Sequence, residues 1–271
     1  MKLPVFDTLL LEYHEHVATV WLNRPDKANA MNSPMWQELQ ICFEWLDSEP
    51  EVRAVMLAAR GKYFCAGIDL AMFGDLMPEE GADPARQAEK FRQVVKRLQG
   101  NLTAIERCRK PVLAAVHGLC YGGGVDIIAC CDMRYASEEA VFSIKEIDVG
   151  MTADVGSLQR LPHIVPQGIV RELAYTGRTV DAAESYEIGL VNRVYPDQES
   201  LLAGVAAVAA EIAARSPISI RGVKATLLYA RDHSVDDGLE YIATWNAGMM
   251  SQRDVMTAIA GASGDTPEFE N

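Results

Sequence analysis

The chain has 271 residues, enough for one large domain with a core of its own. Hydrophobic residues are 49% and charged residues 23%, an ordinary globular composition. The formal net charge of −13 argues against nucleic acid or an anionic membrane surface as the main partner.

No apolar run reaches the roughly 20 residues that a membrane helix needs. The first residues, M-K-L-P-V-F-D, lack a signal-peptide core, and the last, P-E-F-E-N, carry no peroxisomal address. On that absence the expected location is a bacterial-type cytoplasm. The six cysteines (Cys42, Cys65, Cys108, Cys120, Cys130, Cys131) form no C-x-x-C pair and sit among apolar neighbours. They read as buried free thiols in a reducing compartment. Five scattered histidines offer no metal-ligand spacing.

In chain order, residues 5–22 predict a hairpin, with V-A-T-V-W-L (17–22) its clearer strand. A polar loop, N-R-P-D-K-A-N-A-M-N, follows at 23–32. Ser33 as cap and Pro34 in the first turn open a helix whose apolar positions are Met35, Leu39, Cys42, Phe43 and Leu46. Residues 52–58 read as a strand, and G-K-Y-F-C-A-G-I-D-L (61–70) as a glycine loop. Residues 71–84 look irregular and mobile. A long amphipathic helix covers about 85–107, with Phe91, Val94, Val95, Leu98, Leu102 and Ile105 on one face.

The next stretch carries the chemistry. An apolar strand at 111–116 runs into His117 and then Gly122, Gly123 and Gly124, and a helix spans 125–131. Strand, glycine turn and helix leave main-chain N–H groups unpaired and aimed at one spot. Asp126, Glu146 and Asp154 lie in or near this apolar stretch, and such surroundings raise a carboxyl pKa. Short helices are expected near 155–162, 167–175 and 181–188, a last strand at 190–195, and helices at 199–215, 217–231, 234–250 and 251–261. The pattern divides the chain into an α/β body, 1–198, and a helical piece, 199–271. There is no G-x-G-x-x-G after the first strand, so a dinucleotide fold is a weak reading.

Two glycine loops, F-C-A-G-I-D-L and Y-G-G-G-V-D, each follow a short strand, with Ile68 and Gly123 separated by 55 positions (123 − 68). Each alone is a common structural turn. Together they have the makings of an oxyanion hole, two N–H groups offered to one carbonyl oxygen. With N-R-P-D-K-A-N-A-M-N, K-P-V-L-A-A-V-H-G-L-C-Y-G-G-G-V-D and the helical C-terminus, the chain resembles the crotonase (enoyl-CoA hydratase/isomerase) superfamily over nearly its whole length. Within it, V-D (126), K-E-I-D-V-G (146), T-A-D-V-G-S-L-Q-R-L-P (154) and Y-A-R-D-H-S-V-D-D-G-L-E-Y-I-A-T-W-N are most similar to the Δ3,5-Δ2,4-dienoyl-CoA isomerases.

The resemblance implies a β-β-α spiral core with a C-terminal helical trimerisation region, trimers that pair into hexamers, and an acyl-CoA thioester as ligand. It implies an oxyanion hole from the N–H groups of Ile68 and Gly123. It also implies contacts to the coenzyme A portion from Cys65, Ala66, Gly67, Ile68 and Asp69, with Lys27 as a phosphate contact. Coenzyme A enters as part of the substrate, and no separate cofactor is implied. Asp126 stands where a hydratase-like member has a longer Glu. Asp154, eight residues after Glu146 (154 − 146), stands where a small residue is expected of a hydratase. Moving a proton from C2 to C6 of a 3,5-dienoyl chain calls for two carboxyl groups along the ligand. Glu146 is then the base at C2, Asp154 the acid at C6, and Asp126 the group that tunes them. Simpler readings stand beside these: Asp126 as an acid favouring a helix dipole, Glu146 as a solvated strand-end acid, Asp154 as a helix cap. Enoyl-CoA hydration and non-catalytic acyl-CoA binding are the alternative functions.

Overall fold

The computed structural model describes residues 2–72, 74, 83–261 and 267–271. Residues 73 and 75–82, most of the segment read as irregular from the sequence, lie outside the described residues.

Strands β1 (Leu9–His14) and β2 (Val17–Leu22) form the antiparallel hairpin. Its two-residue turn places Glu15 and His16 at positive φ, the twist that suits a tight hairpin. Parallel strands then add one after another: β3 (Ala54–Ala59), β4 (Val112–Val116), β6 (Met133–Ser137) and β9 (Arg193–Tyr195). The large sheet runs β1-β2-β3-β4-β6-β9. A small sheet holds β5 (Leu119–Tyr121), β7 (Val141–Ser143) and β8 (Val180–Asp181) in the order β5-β7-β8.

Strand, second strand, helix is the repeating turn. β4 enters the large sheet, β5 the small one, and α3 (Gly123–Ala129) follows. β6 and β7 repeat the step, followed by α4 (Ser157–Arg160) and α5 (Gln167–Thr176). Among the described residues the turn begun by β3 reaches the small sheet through a single bridge, Cys65 to Cys120, before its helix α2 (Pro84–Arg107). The small-sheet strands are two or three residues long, too short for alternation to reveal in the sequence.

The central strands read as unbroken apolar runs because both faces are covered. Val55, Leu57 and Ala59 of β3 and Val112, Ala114 and Val116 of β4 face the main core. There they meet α1 (Ser33–Ser48) through Met35, Leu39 and Phe43, and α2 through Leu98, Leu102 and Ile105. The alternate residues, Ala54, Met56, Ala58, Leu113 and Ala115, form a second apolar layer with α7 (Gln198–Ala213), which presents Leu201, Val205, Ala209 and Ala213 at fourfold spacing. The first helix after residue 198 therefore packs on the sheet itself.

The later helices are α8 (Pro217–Ala230), α9 (Val235–Met249) and α10 (Gln252–Gly261). Tyr229 of α8 stacks on Tyr241 of α9 with ring centres 4.4 Å apart, and Trp245 continues the row. A short helix, α6 (Ala182–Glu187), is capped by Asp181, which accepts from the N–H of Glu184. The cap of α1 is Asn32, whose Oδ1 accepts from the Met35 N–H, so Ser33 is the first helical residue and not the cap. All six cysteines are free and buried. Asp132 accepts from the Val112 N–H and pairs with Lys224 at 2.7 Å, a structural use.

Candidate active site

The first glycine loop is held from both sides. The Cys65 N–H donates to Leu119 O and the Tyr121 N–H to Cys65 O, which lays the loop along β5. On the other side the Met31 N–H donates to Gly67 O and the Asp69 N–H to Met31 O. In an extended segment alternate amides point to opposite sides. With Gly67 O and Asp69 N–H engaged by Met31, the Ile68 N–H faces away from Met31, toward the second loop. Gly67 has φ +95°, and a Cβ there would meet Tyr121 O at 3.1 Å and Gly123 N at 3.6 Å. Only glycine lets the two turns approach this closely.

The second loop turns at Gly122, whose φ of +49° and ψ of −116° suit glycine alone. Its N–H donates to Ser143 O, and α3 begins at Gly123. A first-turn amide has no partner inside its own helix. Among the described residues neither Ile68 N–H nor Gly123 N–H meets a hydrogen-bond acceptor. The two stand together: a Cβ on Gly123 would lie 3.7 Å from Ile68 N.

These amides open onto a cleft of about 860 Å³, counting its mouth. One wall is the α2 face Phe91, Val94, Val95 and Leu98; Trp36, Met151 and Val155 close the others. Asp126, Glu146 and Asp154 all line this same space.

Asp126, one turn into α3, is fully buried. Its Oδ1 accepts from both the N–H (2.7 Å) and the hydroxyl (2.6 Å) of Ser157, while Oδ2 has no partner. Burial pushes its pKa up to about 6 against the pull of the two Ser157 bonds. Glu146 opens the 3₁₀ turn Glu146–Val149 that follows β7. Its Oε2 is buried without a partner. Burial first, and then the charges of Asp126 and Asp154, push its pKa up to about 7. Asp154 is half-buried, and burial raises its pKa as well. Its carbonyl accepts from Gln99 Nε2 of α2 at 2.6 Å, which ties the loop to the cleft wall. Helix α4 begins at Ser157 without a side-chain cap, so Asp154 caps nothing.

Ala66, Gly67 and Ile68 line the cleft, but Cys65, Asp69 and Lys27 do not. Cys65 is fully buried under the loop, where its Sγ accepts from the Gly67 N–H at 3.4 Å and desolvation pushes its pKa up to about 12. Its side chain therefore cannot meet a ligand in the cleft. Asp69 pairs with Arg24 at 3.1 Å. Lys27 is exposed, in the 3₁₀ turn Pro25–Lys27. His117 is a packed core histidine, with Nε2 on Gly61 O at 2.9 Å. Ser157, Gln99 and Trp36 were not legible as site residues. Ser157 meets its acid across 31 positions and Gln99 reaches across 55, and no local pattern marks either.

The enoyl-CoA hydratase/isomerase family pattern matches residues 12–260. The chain is 46% identical over 250 residues to the mitochondrial Δ(3,5)-Δ(2,4)-dienoyl-CoA isomerase of Rattus norvegicus, a match covering 92% of this chain and 76% of that protein. It is 43% identical over 241 residues to the peroxisomal enzyme of the same name from Arabidopsis thaliana, covering 88% and 87%. The crystal structure of an enoyl-CoA hydratase from Bacillus anthracis superposes with a TM-score of 0.88 at 29% identity, covering 97% of this chain and 99% of that one. The mitochondrial and peroxisomal names of these relatives overturn the expectation of a cytoplasmic location, which rested only on missing signals. With the spiral of β-β-α turns and the paired amides, these matches make the chain a member of the enoyl-CoA hydratase/isomerase family.

Proposed function

We propose that the protein isomerises 3,5-dienoyl-CoA thioesters to 2,4-dienoyl-CoA thioesters, as a step in the β-oxidation of unsaturated fatty acids. One observation carries the reading: three carboxyl groups share one apolar cleft with two unpaired main-chain N–H groups. The identity to dienoyl-CoA isomerases supports it.

The thioester oxygen accepts from the N–H groups of Ile68 and Gly123. Charge arriving on that oxygen is stabilised by these fixed donors, which makes the C2 proton more acidic. Glu146 takes that proton; its pKa of about 7 leaves much of it ionised and basic enough to act. The electrons left at C2 delocalise through the 3,5-diene to C6, where protonated Asp154 delivers its proton. The C2–C3 and C4–C5 bonds become double, and C3–C4 and C5–C6 trade places with them. One proton leaves carbon and one returns, so charge and atoms balance. The cycle closes when the proton on Glu146 is lost and Asp154 regains one. Asp126 does not reach carbon in this scheme; its charge raises the basicity of Glu146. Ala66, Gly67 and Ile68 border the thioester end, and coenzyme A takes part only as a portion of the substrate. The exposed Leu227, Val235, Leu239 and Met256 of the C-terminal helices are assigned to contacts between copies, in a trimer or a hexamer.

The test is the ultraviolet absorbance of the conjugated 2,4-dienoyl thioester after a 3,5-dienoyl-CoA is added. Its steady growth supports the reading. No change in the band, together with hydration of crotonyl-CoA, would assign the site to a hydratase instead.

A further inference from the structure

We propose that Ser157 is a positioning residue: by donating both its main-chain N–H and its hydroxyl to Oδ1 of Asp126, it keeps Asp126 the ionised member of the Asp126–Glu146 pair and leaves Glu146 to take the proton. The inference rests on the isomerase reading for its consequence in turnover, though not for the proton order itself.

The geometry is specific. Ser157 is fully buried, and both of its donors converge on one carboxylate oxygen at 2.7 and 2.6 Å. Oδ2 of the same carboxyl is buried and unpartnered, as is Oε2 of Glu146. Two buried carboxyl groups that feel each other resist being charged together, so as the pH falls the first proton goes to one of them. Hydrogen bonds to the charged form decide which group goes without it. Asp126 receives two such bonds from Ser157, one of them from a hydroxyl, whereas the charged form of Glu146 is favoured by main-chain amides alone, its own and that of Lys145. The other groups acting on Asp126 do not reverse this order. Glu146 and Asp154 repel its charge, and Arg160 on α4 favours it. Arg160 is itself paired with Glu106 at 3.1 Å. The buried thiols Cys65, Cys120 and Cys130 stay neutral. The order also agrees with the carboxyl pKa values of about 6 and about 7.

The consequence is chemical. An ionised Asp126 beside Glu146 keeps the base strong. A neutral Asp126 would leave Glu146 ionised to lower pH, but with less appetite for the C2 proton.

The experiment is an infrared titration of the ligand-free protein, following the protonated-carboxyl stretch as the pH is lowered. Bands are assigned by their loss in Glu146→Gln and in Asp126→Asn. In the wild type the first of the two carboxyls to gain a proton should be Glu146. In Ser157→Ala it should be Asp126, and Ser157→Thr, which keeps the hydroxyl, should restore the wild-type order. With substrate, the acid limb of kcat/KM in Ser157→Ala should move down by about half a pH unit or more while KM changes less than about twofold. In an Asp126→Asn background the same substitution should move the limb no further. A wild type in which Asp126 protonates first, or a Ser157→Ala protein that keeps the wild-type order, overturns the proposal. The titration needs no turnover, so the proton order is measured equally well if the protein proves not to be an isomerase.

Discussion

A Cβ on Gly122 would stand 3.2 Å from Oε1 of Glu146. The base therefore lies directly against the turn that presents the Gly123 amide, and the two catalytic elements share one tight contact. Gly122→Ala should both strain a backbone at φ +49° and push the Glu146 carboxyl aside. The strain alone costs about 1–3 kcal/mol. We expect a lower melting temperature and a fall in dienoyl-CoA isomerisation of at least about tenfold. A variant with full activity would show that the position of Glu146 does not depend on this turn.

Asp154→Asn separates the two ends of the proposed reaction. Glu146 and both amides are untouched, so deuterium from D₂O should still enter C2 of a bound thioester. Delivery to C6 should fall by about 10²-fold or more, the range typical of losing a general acid. Isomerisation that survives within a few-fold would remove Asp154 from the mechanism.

The pH profile follows from Glu146. As the base it must be ionised, and its pKa is about 7. kcat/KM should fall about tenfold per pH unit below that value, and fall again at higher pH as Asp154 loses the proton it must deliver. Glu146→Gln should abolish the limb along with the activity. A profile flat from about pH 5 to 8 would exclude Glu146 as the base.

The same raised pKa values act on stability. Asp126 and Glu146 have folded values of about 6 and about 7, above the ordinary 3.8 and 4.5. The folded state thus holds protons that the unfolded chain releases. The cost of the buried charges is fully present above the folded values and is relieved as the pH falls through them toward the ordinary ones. Glu146→Gln should therefore stabilise the protein at about pH 8, by on the order of 1–3 kcal/mol, and much less at about pH 5. Thermal unfolding at the two pH values measures this, and an equal effect at both would contradict it.

Arg134 is buried among main-chain carbonyls. Its Nε donates to Leu190 O at 2.8 Å, and its Nη1 to Cys131 O at 2.7 Å and Ile128 O at 3.3 Å. It thus caps the end of the helix that carries Asp126. Arg134→Ala leaves those acceptors unpaired in the core, a loss of about 3 kcal/mol or more. Denaturant unfolding should show it, and a change below about 0.5 kcal/mol would mean the carbonyls find other donors.

The central strands, the long helices, the two glycine loops and the family were all legible in residue order, because each is written in a local pattern. Runs such as A-V-M-L-A-A and V-L-A-A-V mark strands covered on both faces, and the spacing of Met35, Leu39 and Phe43 or of Leu98, Leu102 and Ile105 marks helix stripes. The small sheet was not legible, since strands such as Leu119–Tyr121 and Val180–Asp181 are too short to show a period. Which loop residues face the cleft was settled by long-range contacts. The Met31 bridge fixes the direction of the Ile68 amide, Asp69 is engaged by Arg24, and Cys65 is buried beneath the loop. The state of the acids was settled in the same way. The pKa of a carboxyl depends on burial and on partners brought from far along the chain, as Ser157 is brought to Asp126, and no spacing in the sequence records such a meeting.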